Sequence, residues 1–461
     1  MRITGKEIIA MGYAPGPWMG PALAEIAARN LKGPALDHYL AKTAPPAPVK
    51  QPLQDGARVA FNLSVTGPED EANVAAVRAT METLMRTPTL VAGAVMPDAC
   101  PAGPPGTIPV GGVAVARNAI HPGMHSADIC CSVMVSALDG FLPKALLDAV
   151  HQVTHFGPGG RAADPRFVVP GDLAEEMSEN RFLNGQKAQT VIQSHFGTQG
   201  DGNHFAFVGT SKASGRTCLV THHGSRGPGA VLYKEGMRVA EEHRRRHAPD
   251  TLRQNAWIVA DSDAGVAYWE ALQLLRRWTK ASHAALHDAA IAMLGTTYVE
   301  RAWNEHNFVF REGDLYHHAK GATPVHDGFL PDTDGVQIVP LNMGAPVLLI
   351  KGARTDANLG FAPHGAGRNR SRTAHKRRLA GQSEADIFAR ETQGLDARFF
   401  CGRTDISELP SAYKSADSVR SQMAEFGLAE VVDEIEPYGS IMAGDWQADA
   451  PWRMKQKRKR A

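Results

Sequence analysis

Between residues 90 and 138, and again between 197 and 227, apolar runs are cut short by glycine or proline before they reach helix length. Leu90 to Met96, Ile108 to Val115 and Val133 to Leu138 are three such runs, and His204 to Val208 and Thr217 to Thr221 are two more. Runs this short, bounded by turn residues, read as strands. The whole chain of 461 residues holds 45 Gly and 30 Pro, so much of it must be turn and loop. That profile suits a mixed, loop-rich enzyme better than a helical bundle. The expected fold class is α+β, a single large mixed domain with central β-sheets and long helices.

Between the strands, the spacing predicts helices over Glu69 to Met85 and over Lys144 to His151, the latter opened by Pro143. Two long helices are expected over 229–247 and 263–293, the second with N-cap candidates in Asp261-Ser262-Asp263 and an apolar stripe through Tyr268, Leu272 and Leu275. Arg58 to Leu63 alternates like a strand, and 335–351 reads as a strand pair. Ala44-Pro45-Pro46-Ala47-Pro48 reads as an extended linker that closes a divergent N-terminal segment, 1–55. The unit that follows is expected to span 56–445. From about 440 onward nothing resembles a packed element, and 446–461 reads as a basic tail.

A hydrophobic fraction of 43% is enough for a large core, and a net charge of +1 excludes a basic polyelectrolyte. Nucleic-acid contact must therefore come from local clusters, of which Arg453 to Arg460 is one. Five cysteines without regular spacing exclude a disulfide framework, and no Cys-x-x-Cys pair suggests a structural zinc site. The first residues lack the apolar core of a signal peptide, and no apolar run reaches the ~18 residues of a membrane span. The expected location is the cytoplasm.

Polar residues suited to metals and phosphates recur after these strands or inside Gly-rich turns. His364-Gly365-Ala366-Gly367-Arg368, continued to Arg372, joins a possible imidazole nucleophile to glycines that admit a phosphate and to two guanidinium forks. Asp128 and Cys131 converge if their loop turns; alternatively Cys130 and Cys131 are small buried hydrophobes. Asn203-His204, His222-His223 with Arg226, Glu305-His306-Asn307 and Lys320-Gly321 add an amide, imidazoles and cations. Imidazole, thiolate and carboxylate together are compatible with Mn, Fe, Co or Zn. Two ions a few Å apart could clamp a transferring phosphate.

Taken in order, Met96-Pro97-Asp98, Asp128-x-x-Cys131, Gly197-x-x-Gly-x-Gly-Asn203-His204-Phe205, His222-x-Gly-Ser-Arg226-Gly, His306-Asn307, Lys320-Gly321-Ala322, Met343-Gly344, His364 to Arg372 and Ala412-Tyr413-Lys414 resemble the RtcB family of RNA-splicing ligases. The resemblance runs from about 90 to 440. It implies a single mixed domain of that type with a metal site in its cleft. It implies an RNA ligase that joins a 3′-phosphate or 2′,3′-cyclic phosphate end to a 5′-hydroxyl end, using GTP and manganese, in RNA repair or splicing. By resemblance, Asp128, Cys131, His204, His222 and His306 would hold Mn²⁺, as two ions. His364 would carry GMP as a phosphoramidate. Asn203, Lys320 and Gly367 would lie at the nucleotide, Arg226, Arg368 and Arg372 would hold phosphates, and Tyr413 would stack on guanine. RNA and a nucleoside triphosphate are the implied partners; the need for an activating protein stays open.

The departures from the family pattern cluster. Cys100 stands where members usually carry a histidine, and the lysine expected between Pro101 and Gly106 is missing. The usual Gly-Cys-Gly is Cys130-Cys131-Ser132, and the usual Asn-Arg of the long helix is Ser282-His283. Phe207 replaces a glutamate that accepts from the guanine edge, Asn342 replaces a serine of the nucleotide pocket, and the C-terminal Lys-Gly falls near Met442-Ala443. Metal-type and nucleophile positions survive while guanine-reading positions change, so altered nucleobase choice is expected. Two other readings remain: a metal-dependent phosphatase or cyclic phosphodiesterase on nucleic-acid ends, and a non-catalytic RNA-end binding paralogue.

Overall fold

The computed structural model describes residues 3–13, 15–46, 49–330 and 334–446. Two β-sheets organise it. The first has five strands in the order Arg58–Phe61, Leu90–Cys100, Val110–Arg117, Leu315–Lys320 and Asn307–Glu312. Only its first pair is parallel. The second runs Gln337–Pro340, Val347–Lys351, Glu430–Met442, Phe205–Ser211, Thr217–His223, Ser132–Leu138 and Glu300–Glu305, antiparallel throughout, with Asp396–Phe399 added in parallel to Glu430–Met442. The α+β class is thus observed.

The helices form where the sequence places good starts. Pro143 occupies the first turn of Pro143–Val153, where a missing N–H costs nothing. Ser262 caps Asp263–Ala292, its Oγ accepting from Gly265 N at 3.1 Å. That helix buries Tyr268, Leu272, Leu275 and Trp278 at helical spacing, each fully burying side chain adding ~1.5–3 kcal/mol. It lies across the strand Ser132–Leu138 and the helix Pro143–Val153, and so backs the sheet whose opposite face carries the site. The first long helix begins earlier than its apolar pattern suggests, at Arg226, and ends at His247.

Near the N-terminus, Gly5–Ala10, Met19–Ala28 and Pro34–Thr43 are helical, and Ile8, Met19, Ile26 and Leu40 gather in an apolar cluster of their own. The Ala44–Pro48 reading falls partly on residues 47–48, and the basic run Arg453–Arg460 falls wholly, outside the described residues.

One expectation is overturned. The stretch from 440 is not unpacked: Glu430–Met442 is a 13-residue strand in the middle of the larger sheet, and Ile441, Met442 and Ala443 are buried. Pro437 and Gly439, at a break in the register, hide its strand character in the sequence. Its acidic residues have partners: Glu434 pairs with Lys212 at 2.8 Å, and Asp433 accepts from the Ser211 hydroxyl at 2.6 Å. No helix among the described residues is long and apolar enough to cross a membrane.

Candidate active site

Four neighbouring strands of the larger sheet bring the imidazoles and the thiol to one edge. Thr217–His223 and Glu300–Glu305 end there, and Ser132–Leu138 and Phe205–Ser211 begin there. Ser132 pairs with His223 on one side and Glu305 on the other, while Phe205 pairs with His222. Cys131, His204, His222 and His306 therefore converge at the ends of their strands. Asp128 reaches the group from a loop with left-handed backbone at Ser126 and Cys130 (φ 73° and 58°). Glycine adopts that conformation most readily, and here a cysteine holds it at position 130. Its consequence is to split the cysteines: Cys130 points into the core and Cys131 into the site.

The ligand atoms of Cys131, His222 and His306 lie within 4.8 Å of one another, and so do those of Asp128, Cys131 and His204. Cys131 Sγ is 3.1 Å from His222 Nε2 and 3.6 Å from His204 Nε2. His222 Nε2 is 3.2 Å from His306 Nε2, and His204 Nε2 is 3.1 Å from Asp128 Oδ2. The tautomers of two rings follow from their other nitrogens. His222 Nδ1 donates to the Asn203 carbonyl at 3.0 Å, and His204 Nδ1 donates to the Gln199 carbonyl at 2.7 Å. Their Nε2 lone pairs are left facing the thiol and the carboxylate, which is how a protein orients imidazole toward a cation. Burial lowers His222 to about 3 and His306 well below the usual imidazole range. Burial and the nearby Asp128 charge push the Cys131 thiol up. Imidazole nitrogens crowded against a thiol and a carboxylate suit a divalent cation.

This group opens into a cavity of about 950 Å³. His364 stands in its wall, its ring 4.8 Å from that of His306 between centroids. Asp98, wholly buried, accepts on one oxygen from His364 Nδ1 at 2.6 Å, His364 N at 3.0 Å and Gly365 N at 3.3 Å. Nδ1 thus carries the proton, and the Nε2 lone pair is free as a nucleophile. Lys414 Nζ donates to the Pro97 and Ala99 carbonyls on either side of Asp98. Gly367 must be glycine: its φ is +68°, and a Cβ there would lie 1.9 Å from the Asp98 carbonyl oxygen.

Asn203, Lys320, Gly367, Arg368, Arg372 and Tyr413 all line the cavity. Lys320 Nζ donates to the Ile108 carbonyl at 3.1 Å, and burial brings it down to about 8. Arg226 is placed differently. It opens the long helix with φ +54°, and its guanidinium lies against Gly200, outside the lining of the cavity. Cys100 lines the cavity but stands outside both ligand groups, with burial raising its thiol. Ser282 and His283 turn into the core: Ser282 Oγ accepts from Gly197 N, and His283 stacks on His223 at 3.5 Å between centroids. The lining also has an apolar part, with Phe205, Phe207, Leu341, Met343 and Met442, among which stand Asn342 and Ser440; the Phe205 ring lies 5.3 Å from that of His222 between centroids. Asn342 spends its side-chain oxygen on Gly344 N at 2.9 Å.

Two residues of the site carried no role in the sequence reading. Asp98 sits in a motif, yet nothing nearby in sequence says that it holds His364. Glu408 is buried and binds Arg368, Arg372 and Tyr413; the only signal is its position just before Leu409-Pro410 and the Ala412-Tyr413-Lys414 motif.

The family model for the tRNA-splicing ligase RtcB matches residues 162–443, more than half of the chain. The chain belongs to the RtcB family. The tRNA-splicing ligase RtcB of Thermococcus kodakarensis is 26% identical over 407 residues, covering 72% of this chain and 84% of the relative. The RNA-splicing ligase RtcB2 of Escherichia coli is 26% identical over 354 residues, covering 71% and 83%. The RNA-splicing ligase RtcB of Mycobacterium bovis is 28% identical over 309 residues, covering 59% and 69%. In this RtcB family member, Asp98 and Asp128 precede the matched span; Asp128 lines the same cavity as residues inside it, and Asp98 holds His364 from behind the wall.

Proposed function

We propose that this protein is an RNA ligase that works through a nucleotide carried on His364. The observation that carries the reading is the pairing of His364 Nδ1 with buried Asp98 beside the two ligand groups. His364 Nε2 attacks the α-phosphorus of GTP; a P–N bond forms, the bond to the β-phosphate oxygen breaks, and pyrophosphate leaves. An oxygen of an RNA 3′-phosphate then attacks the same phosphorus, and the electron pair of the P–N bond returns to Nε2. The RNA now ends in a phosphoanhydride, a diphosphate that links its 3′-oxygen to the 5′-oxygen of guanosine. A 5′-hydroxyl attacks the RNA phosphate, loses its proton, and expels GMP as the new phosphodiester forms. A 2′,3′-cyclic end enters after water opens the ring to the 3′-phosphate.

Asp128, Cys131, His204, His222 and His306 would hold two Mn²⁺ ions, with Cys131 common to both groups. When bound, these would supply positive charge to phosphate oxygens. Asp98 keeps His364 in the attacking tautomer and favours the imidazolium-like charge of the adduct. Asn203, Lys320, Gly367, Arg368, Arg372 and Tyr413 form the nucleotide wall, and Arg226 acts from behind it. The catalytic unit is 56–445, in RNA repair or splicing.

Nucleobase choice is altered. Phe207 and Met442 themselves offer a guanine edge no hydrogen bond and no negative charge, and Asn342 Oδ1 already accepts from Gly344 N. Incubation with labelled GTP, ATP and other triphosphates in Mn²⁺ tests both claims. A covalent adduct lost on His364→Ala supports ligation; end processing without an adduct points to a phosphatase or cyclic phosphodiesterase. A strong preference for GTP alone defeats the altered choice.

A further inference from the structure

The two arginines after His364 look equivalent in sequence and are not equivalent in the cavity wall. Both bind the side chain of Glu408, which is 1% exposed. Arg368 gives it Nη2 at 2.7 Å and gives Nη1 to the Ser407 carbonyl at 2.6 Å, so both of its terminal nitrogens are used. Its guanidinium also lies over the Tyr413 ring, 4.2 Å from the centroid. Tyr413 donates its hydroxyl to the same carboxylate at 2.6 Å. Arg372 gives only Nε, at 2.5 Å; its two terminal nitrogens make no hydrogen bond among the described residues, and its side chain is 48% exposed. One Nη rests against Gly202, where a Cβ would lie 3.3 Å away.

We propose that Glu408 is a positioning residue that gives the two arginines different roles. Arg368 is a strut that braces Tyr413 inside the wall, and Arg372 is a fork held by its Nε so that Nη1 and Nη2 meet a phosphate. A guanidinium held at one edge keeps two parallel donors for a bidentate contact, and fixing the edge removes the rotamer freedom that binding would otherwise have to suppress. The carboxylate offsets one of the two positive charges, so the wall keeps a net positive charge. The inference rests on the proposal that this cavity takes a nucleoside triphosphate.

The test is a double-mutant cycle on KM for GTP in adduct formation, with E408Q, R372A and the double variant, each checked by its thermal midpoint. R372A is expected to raise KM about tenfold or more, the scale of a lost charged hydrogen bond. E408Q should raise KM by a similar factor while the rate at saturating GTP changes less, the double variant should lose less than the product of the two single losses, and E408D should recover part of the loss. A merely structural Glu408 would lower the thermal midpoint and the active fraction but leave KM of the folded fraction unchanged. That outcome, or losses that multiply in the double variant, overturns the proposal. If E408Q does not fold, E408D against R372A gives the same cycle. If the wild type forms no adduct, the reading as a His364 ligase fails; the cycle read as equilibrium binding of a fluorescent GTP analogue still decides on Glu408, and no binding to the wild type overturns both.

Discussion

Two groups of buried histidines in this molecule differ in one respect, where their second nitrogen goes. His121, His125 and His318 sit between the smaller sheet and the long helices with every ring nitrogen paired inside the protein. His121 Nδ1 donates to the Asn255 carbonyl at 2.9 Å and Nε2 accepts from the Thr89 hydroxyl at 2.8 Å. His125 Nδ1 donates to the Ser126 carbonyl, and Nε2 accepts from Tyr268 at 3.0 Å. His318 Nε2 accepts from His121 N at 2.9 Å, and Nδ1 donates to the Tyr316 carbonyl. In the cavity, His204 and His222 pair Nδ1 in the same way but aim Nε2 at Cys131, Asp128 and His306. Burial lowers imidazoles in both groups, to about 3 for His121 and about 3 for His222. A depressed pKa therefore does not separate structure from function here. Between these two groups, what Nε2 faces does.

The largest effect that would sharpen this contrast is on His364, the one cavity imidazole set up as a nucleophile. His364→Ala should abolish the covalent nucleotide adduct, read by mass spectrometry or label transfer, while the far-UV spectrum stays unchanged. Asp98→Asn should leave the adduct detectable and slow its formation, because a side-chain amide holds the imidazole without favouring positive charge. Next comes the cation. Mn²⁺ should raise the thermal midpoint of the wild type, and Cys131→Ser should remove most of that rise because both ligand groups share this thiol. Changes to groups that merely orient a ligand cost about 10–100-fold in affinity, and loss of a shared ligand should exceed that. A His121→Ala variant, by contrast, should keep the Mn²⁺ response.

Acid should strike the paired group through stability. His121 and His125 are lowered to about 3 and about 4 by burial, against an ordinary value of 6.5. Between those values the unfolded chain binds protons that the folded chain refuses, so stability falls as pH drops from 6.5 toward 4. By pH 5 each residue should have lost about 2 kcal/mol. Urea unfolding at pH 7 and pH 5 measures this. At neutral pH, His121→Ala should cost about 2–4 kcal/mol, since it opens a buried space and leaves the Thr89 hydroxyl and the Asn255 carbonyl unpaired. A variant as stable as the wild type would remove the basis of the contrast.

Much of the fold is legible because its signals are local. Ser262 caps its helix, Pro143 opens another, and short apolar runs become strands within a few residues of their expected ends. The strand Glu430–Met442 was not legible, because Glu434 and Glu436 find Lys212 and Arg420 only after folding and its register is broken around Pro437 and Gly439. The site divides in the same way. Asp128, Cys131, His204, His222 and His306 each stand in a short motif, and the sheet brings them together. Asp98 lies 266 residues from His364, and Glu408 lies 36 residues from Arg372 and 40 from Arg368. Those partnerships exist only after folding, and spacing carries no trace of them. Cys130 and Cys131 show the limit from the other side: adjacent in sequence, they part because the backbone at Cys130 is left-handed.

The smallest expected effect concerns the apolar wall, where the comparison turns from histidines to the two sides of one cavity. Phe207 is buried beside Val133, Val220 and Ile338 and also faces the cavity. Phe207→Glu would place a carboxylate on a side of the wall that otherwise offers only the neutral Ser440 and Asn342 side chains, and the charge would need a partner to be tolerated. A guanine edge offers N–H donors to such an acceptor and adenine does not offer the same pair. The expected outcome is a shift of about 1–3 kcal/mol in the preference for GTP over ATP, read as the ratio of adduct yields at limiting nucleotide. Adduct yield with GTP at saturation should change less than that ratio. An unchanged ratio in a folded variant would mean that the base does not rest on Phe207, and that the ionic side of the cavity alone determines which triphosphate reacts.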